Sequence, residues 1–563
     1  MAESADSPLN SNRDAGDWLS RPWLLAVGFA FVGFAIHLLT DNGGDAVPWR
    51  MALVAFALFG GLSAALTTKR DWLVEPAIFA VMVGAIMGGL TWRAVRYAEV
   101  LPDEQFGLAA GLLATIIAVP LFQAGFHRRR MATDYSDTHY HVWTNAISGA
   151  GALAFVGLSW LVATLLAELF QLIEINLPRD LLDEEWFGWM FSGAAFGAGL
   201  GVLRNQSKIL GTLQSVVMLV FSILAVPLAA ALVLFLFAVL ISGPEVLWRA
   251  TDSATPFLLT FAAGSFVLVN AVVRNNDNEA SQSRLLQIAA AALAAIILPL
   301  SILAAASMGT RIAQHGLSPE RIWALVAIAL ACFYGVAYLA ALIRGRKAGW
   351  RTQIRKSNMI TAVATCLVAL LLALPIFDFS AISARDQVAR LKTGDVAAQD
   401  FDFHALRWDF GEPGRNALAD LIKNGKPEVV KLAKEANERD SRPSQRNPEE
   451  VEQSRANLRM VTDDAEVRTK FESYLLSNPW LCDSPCILIE VDDNRDDLRL
   501  FKLVSTNRVD PLFIDKQGKF DIDRRRDWTE GKVTVEAGSK IETRPYTGRR
   551  IYVDGKPVGA PFD

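Results

Sequence analysis

Eleven apolar segments of membrane-crossing length run through this chain and leave few folds open to it. They cover 22–39, 49–66, 74–92, 106–126, 143–173, 187–203, 211–241, 254–273, 285–307, 321–343 and 357–377. A helix needs about 20 largely apolar residues to cross the hydrocarbon core of a bilayer. Within lipid it also satisfies its own backbone hydrogen bonds. A transmembrane barrel would show alternating strands of about ten residues instead. The expected fold class is an α-helical polytopic membrane bundle of eleven spans.

The basic residues between the spans give an orientation. The N-terminal side and the even-numbered loops carry 17 Lys and Arg, among them Arg128, Arg204, Arg274 and Arg355; the other loops carry 7. Basic loops stay in the cytoplasm, so the N-terminus is expected there. An odd number of spans then puts everything after Phe377 outside. The sixth segment is short and Gly-rich, and a re-entrant sixth segment would reverse every later side. The basic alternation continues past it, which favours eleven crossings. No small-residue cleavage site follows His37-Leu38-Leu39, so the first span reads as an anchor and not as a removed signal.

Composition separates the rest. Residues after Phe377 hold 31 basic and 35 acidic side chains, against 24 of each before it. The expected parts are a tail (1–21), the bundle (22–377), a helical region (378–480) and a small β-rich domain (481–563). Helical spacing marks 380–392, 415–423, 428–438, 449–461 and 465–476. Strand patterns mark 487–491, 499–504, 512–514, 520–522, 532–535 and 550–553. Asp554-Gly555 is a hairpin signal between two short apolar runs. The soluble part is thus expected to be a C-terminal α+β domain ending in a small antiparallel sheet. Proline recurs at Pro120, Pro227, Pro299 and Pro375, read as kinks within spans. The net charge of −4 gives no reason to expect a nucleic acid as a partner.

One stretch carries a family pattern. It holds Leu374-Pro375-Ile376-Phe377-Asp378, then Ser383-Ala384-Arg385-Asp386-Gln387 and Arg390-Leu391. Phe401-Asp402-Phe403, Leu406-Arg407-Trp408-Asp409, Gly411, Gly414, Ala417 and Leu418 follow. Together with Trp143-Thr144-Asn145 opening a long span, it resembles the bacterial family catalogued as domain of unknown function 4153. The resemblance runs roughly to Leu421. It implies a polytopic inner-membrane protein of bacteria and no activity, so no functional residue is carried over.

Several groups merit a chemical reading beside a plain one. Cys482 and Cys486, in an oxidising compartment, are expected to form a disulfide; the plain alternative is two buried thiols. His139 and His141 share a face only in an extended strand, where they could hold a metal; on a helix they diverge by about 200°. The plain reading is an interfacial polar cluster. His37, Glu168 and Asn270 lie in or near spans, where polar groups default to functional candidates. Against that, the first two are close to span ends, and Asn270 can bond a neighbouring helix. Gly193, Gly197 and Gly201, like Gly84 with Gly88 and Gly107 with Gly111, read as surfaces for close helix approach. Asp402, His404 and Asp409 stand where acid–base groups would reach a lipid headgroup, though capping and turn roles explain them equally well. Asp492 to Asp497 lacks the Gly and Glu of a calcium loop, and Arg524-Arg525-Arg526 reads as a solvated loop. No phosphate loop, nucleophile elbow or zinc-helix motif occurs, and no cofactor is expected.

The leading expectation is a non-enzymatic inner-membrane protein whose periplasmic domain binds an envelope component or partner protein. A lipid-linked glycan is one such component. The alternatives are a transporter or lipid translocator, which needs a wet cavity at His37, Glu168 or Asn270, and a membrane enzyme on lipid-linked substrates, which needs His404 and an acid in one cleft.

Overall fold

A computed structural model describes residues 18–40, 46–97, 104–243, 245–250, 254–345, 349–439, 448–462, 464–491, 499–505, 508–514, 520–522, 549–553 and 556–562. The chain forms two compact units, Met1–Asn437 and Glu438–Asp563.

Among the described residues, the first unit holds eleven helices long and apolar enough to cross a membrane. They are α1 (Arg21–Thr40), α2 (Pro48–Thr67), α3 (Val74–Arg96), α4 (Glu104–Gln123), α5 (Tyr135–Gln171) and α6 (Glu185–Asn205). The series continues with α7 (Ser207–Ser242), α8 (Thr255–Val273), α9 (Arg284–His315), α10 (Pro319–Arg344) and α11 (Trp350–Ala373). Pro120, Pro227 and Pro299 lie inside α4, α7 and α9 without ending them. Pro375 does not: α11 stops at Ala373, and Leu374 before the proline is extended, with ψ 151°, as the clash with a proline ring demands.

The sixth segment is a full helix. A Cβ on Gly193 would strike the carbonyl of Phe29, one on Gly197 that of Leu25, and one on Gly201 the backbone of Pro22; Gly33 meets the carbonyl of Trp189 in the same way. The paired numbers fall on α1 as they rise on α6, so the two helices run antiparallel at backbone contact along their whole length. α6 is thus a continuous helix long and apolar enough to cross as α1 is. The same device joins α2 to α3, where Gly84 and Gly88 abut the carbonyls of Phe56 and Ala52. Without a hydrophobic force between helices in lipid, such close approach supplies the packing energy. Gly111 packs on Leu90 and Met87 of α3, whereas a Cβ on Gly107 would meet only ordinary contact.

Short helices at Phe126–Arg129, Leu177–Asp183 and Glu245–Ala250 lie between the long ones, and four more follow them: α12 (Phe379–Thr393), α13 (Phe403–Trp408), α14 (Gly411–Asn424) and α15 (Pro427–Glu438). Phe401, Phe403, Leu406, Phe410, Leu418 and Leu421 form their core. α12 grips the end of α9. Gln387 Nε2 donates to the carbonyls of His315 (2.8 Å) and Leu317 (2.9 Å), and Arg390 Nη2 to those of Ala313 and Gln314. Asp386 Oδ2 accepts from Leu317 N at 2.8 Å. A helix end leaves carbonyls orphaned and carries partial negative charge; Arg390 and Gln387 answer both.

The second unit contains α16 (Pro448–Asn457), α17 (Ala465–Ser477) and strands β1 (Leu458–Val461), β2 (Cys486–Val491), β3 (Arg499–Ser505), β4 (Arg508–Ile514) and β5 (Phe520–Ile522). They form one sheet in the order β1-β2-β3-β4-β5. β2 to β5 are an antiparallel meander, as expected, but β1 pairs parallel to β2, with Leu458 opposite Cys486. Residues 458–461 were expected to continue a helix. Their side chains instead alternate between half-buried and exposed, which suits the edge of a half-covered sheet. β6 (Arg549–Val553) and β7 (Lys556–Phe562) pair antiparallel, with Val553 opposite Lys556. Asp554-Gly555, the strand expected at 532–535, Asp492 to Asp497 and Arg524 to Arg526 lie outside the described residues. Phe471, Phe501, Leu503, Leu512 and Phe520 fill the core beneath the sheet.

Candidate functional site

Four polar side chains of the bundle meet at one place. Asn270 of α8, Tyr338 of α10, Asn358 of α11 and Tyr135 at the start of α5 form a buried network. Asn358 Nδ2 donates to Asn270 Oδ1 (2.6 Å) and to Tyr135 Oη (3.2 Å). Asn270 Nδ2 donates to Tyr338 Oη and to the carbonyl of Phe266, both at 2.8 Å. Tyr338 Oη donates to Asn358 Oδ1 (2.6 Å), and Tyr135 Oη to Asn270 Oδ1 (3.2 Å). Each amide has two N–H groups and each phenol one O–H. Every one of them has an acceptor, so the network closes on itself and ties four helices together.

One turn before Asn358, Arg355 is 8% exposed and secures the end of α8. Its Nη2 donates to the Val273 carbonyl (2.8 Å) and Asp277 Oδ1 (3.0 Å), and its Nε to the Arg274 carbonyl (3.2 Å). Arg274 has a φ of 50°, a conformation that costs a non-Gly residue about 1–3 kcal/mol. Arg355 holds the carbonyls on both sides of that strain. A cleft of about 550 Å³ opens above, lined by Asp134, Tyr135, Asn275, Thr352, Arg355 and Lys356 among others.

His139 and His141 lie in a helix. Asp134 caps α5, its Oδ1 accepting from Ser136 N at 3.1 Å, so the helix begins well before the apolar run. The two imidazoles therefore point about 200° apart, which removes the shared metal face. His139 is also fully used. The indole N–H of Trp143 donates to its Nε2 (3.2 Å), so the ring proton sits on Nδ1 and goes to Asn275 Oδ1 (2.5 Å). Among the described residues no three His, Cys, Asp or Glu side chains form a metal-binding group.

The remaining candidates are dispersed. His37 is half-buried in the last turn of α1. Glu168, exposed near the end of α5, pairs with Arg179 at 2.5 Å. Asp402 caps α13, accepting from Ala405 N at 3.0 Å; His404 lies in its first turn and Asp409 at its C-terminal end. Asp402 and Asp409 thus occupy opposite ends of one short helix. In the second unit Cys482 and Cys486 form a disulfide with Cα atoms 5.5 Å apart, buried in the core. Nearby, Asp464 caps α17 and meets Arg499 at 2.7 Å. The Arg499 hydrogen bond, with the backbone N–H of Val467, holds the Asp464 carboxyl below the usual range, and Asp464 in turn raises Arg499.

Residues 23–421 match the family described as Domain of unknown function (DUF4153). The chain belongs to that family. No curated protein and no solved structure matches the chain. The match to DUF4153 takes in α1 to α11 and ends inside α14, so it includes both the buried network and the α12 grip on α9. Asp386, Gln387 and Arg390, which carried the resemblance, have a structural task in this DUF4153 protein. So does Asn145 of the Trp-Thr-Asn run, whose Nδ2 donates to Gln123 Oε1 at 2.6 Å. Sequence reasoning found Asn270 but missed Tyr135, Tyr338, Asn358 and Arg355. The signal for the last two was available: α11 opens with an amphipathic polar turn, 350–358, in which Arg355 and Asn358 are three apart and share a face.

Proposed function

We propose that this multi-pass membrane protein is a non-enzymatic component of the bacterial inner membrane. Its N-terminus faces the cytoplasm, and its C-terminal soluble part binds an envelope component or partner protein in the periplasm. One observation carries the reading: buried Asn270, Tyr338 and Asn358, with half-buried Tyr135, are donors and acceptors for one another. A transporter keeps such groups for its cargo, whereas here Asn270 and Tyr338 hold helices in register. His37 and Glu168, the other residues a passage would need, are elsewhere. The Cys482–Cys486 disulfide supports an oxidising location for the soluble part.

Two measurements test this. Hydroxyl-radical footprinting of the purified chain is expected to leave Tyr338, which is 0% exposed, unmodified. Modification at the rate of an exposed tyrosine would reveal a wet path and favour transport, the reading to which the 550 Å³ cleft beside Arg355 gives some weight. A photocrosslinking residue at Val461, which is 46% exposed on β1, is expected to yield one discrete adduct in intact cells. No adduct there or at Trp480 would count against the binding role.

A further inference from the structure

Where α1 and α2 pass each other, a groove of about 300 Å³ is open along one side, lined by Leu24, Gly28, Val32, Gly61 and Ala64. The twelve residues from Arg21 to Val32 rise about 16 Å at the helical repeat. That is about half of a hydrocarbon core about 30 Å thick, the depth of one leaflet. The groove is therefore the length of an acyl chain's path from interface to midplane.

Arg21 stands at its head, and Lys69 and Arg204 adjoin Thr68 and Asn205, to which Arg21 is bonded. Arg21 stacks over Trp18 at 5.0 Å and donates to the carbonyl of Thr68 (3.1 Å) and to Asn205 Oδ1 (3.3 Å). Arg204 at the end of α6 donates to the carbonyl of Ala65, and Lys69 follows directly after α2. Among the described residues none of these three cations has a carboxylate at ion-pair distance. Asp137 acts on Lys69 from further away and itself faces Arg129 at 3.9 Å. Burial, then Arg204 and Arg21, push the Lys69 ammonium below its ordinary value. Three half-buried or buried cations that repel one another at a membrane interface form a site short of an anion.

We propose that the α1–α2 groove binds one acyl chain of an anionic glycerophospholipid whose phosphate lies among Arg21, Lys69 and Arg204. Trp18 then sits at headgroup level, where an indole is favoured. The small residues Gly28, Gly61 and Ala64 are the chain's track. A Cβ on Gly28 would meet nothing within 4 Å, and one on Gly61 only a methyl of Val32 at 3.8 Å. These glycines are therefore not spent on helix contact, unlike those of the α1–α6 seam.

Native mass spectrometry of the full chain, released from an uncharged detergent, tests the site with added phosphatidylglycerol, phosphatidylcholine or inorganic phosphate. Phosphatidylglycerol is expected to bind at least ten times more tightly than phosphatidylcholine, and phosphate alone to leave no adduct. Gly28→Leu fills the track and is expected to weaken phosphatidylglycerol binding at least tenfold, with the lipid-free unfolding midpoint unchanged; Gly61→Leu serves if that variant fails to fold. Lys69→Gln is expected to weaken phosphatidylglycerol about fivefold, the effect of one interfacial cation, and to leave phosphatidylcholine as it was. Equal binding of the two lipids overturns the proposal. So does tight phosphatidylglycerol binding that survives both the leucine and the glutamine substitution, or a phosphate adduct that displaces the lipid.

Discussion

At the scale of single residues, the network of Tyr135, Asn270, Tyr338 and Asn358 carries the sharpest expectations. A hydrogen bond between membrane helices contributes only about 0.6 kcal/mol on average. Leaving a buried donor or acceptor without a partner costs more, about 1–3 kcal/mol. Asn270→Leu takes one partner from each of Tyr135, Tyr338 and Asn358 while their bonds through Asn358 remain, so it should destabilise the bundle within that range in a detergent unfolding titration. Asn270→Leu with Asn358→Leu should cost clearly less than the two single changes summed, because each removes groups the other strands. Strict additivity would mean that the network is not a unit. Asp464 gives a pH expectation. Its folded-state value lies below the unfolded value of about 3.9 because of Arg499 and the α17 amides. Its contribution is present above the unfolded value and lost as pH falls through the folded one. Protection of the α17 amides, measured against the intrinsic exchange rate at each pH, should therefore fall below about pH 4. Asp464→Asn keeps a capping oxygen but should flatten that dependence; an unchanged acid profile would contradict the assignment.

At the scale of elements, glycine spacing decides which helices touch. Gly193, Gly197 and Gly201 let α6 lie on the backbone of α1, and any side chain there meets a carbonyl or main-chain atom that cannot turn away. Gly197→Leu should separate the pair and cost about 3 kcal/mol or more, the upper range for overpacking, seen as a lowered unfolding midpoint. Gly28→Leu, beside Phe29 but facing open space, should leave the lipid-free midpoint unchanged. If both behaved alike, the α1–α6 contact would not be the seam described. The apolar runs themselves were legible because length and hydropathy are local properties, and Gly-x-x-x-Gly spacing marked close approach at Gly84 with Gly88 and at Gly193, Gly197 and Gly201, but not at Gly107. Helix starts were less so. α5 begins at Tyr135 because Asp134 caps it, and that cap lies upstream of the apolar run that hydropathy reads. This is why the metal reading of His139 and His141 failed. β1 was mistaken for helix because 449–461 is rich in helix formers; its pairing with β2 is a tertiary fact that spacing does not hold.

At the scale of the whole molecule, an odd number of crossings is the claim on which the rest depends. The sequence already contained the basic alternation, and the sixth segment is a continuous helix of spanning length lying antiparallel to α1. The site was less legible: Asn270 stood out as an amide in an apolar run, whereas Tyr338 and Asn358 reveal themselves only when α8, α10 and α11 are brought together. The most direct test uses single cysteines in a chain whose Cys332 and Cys366 are replaced by serine, with the Cys482–Cys486 disulfide left intact. One cysteine replaces exposed Lys208, at the start of α7; the other replaces exposed Lys423, in α14. With a membrane-impermeant maleimide on spheroplasts, Lys423→Cys is expected to react before lysis and Lys208→Cys only after it. Reaction of both at the same stage would place the two ends of the bundle on one side, make the number of crossings between them even, and contradict the eleven-span architecture.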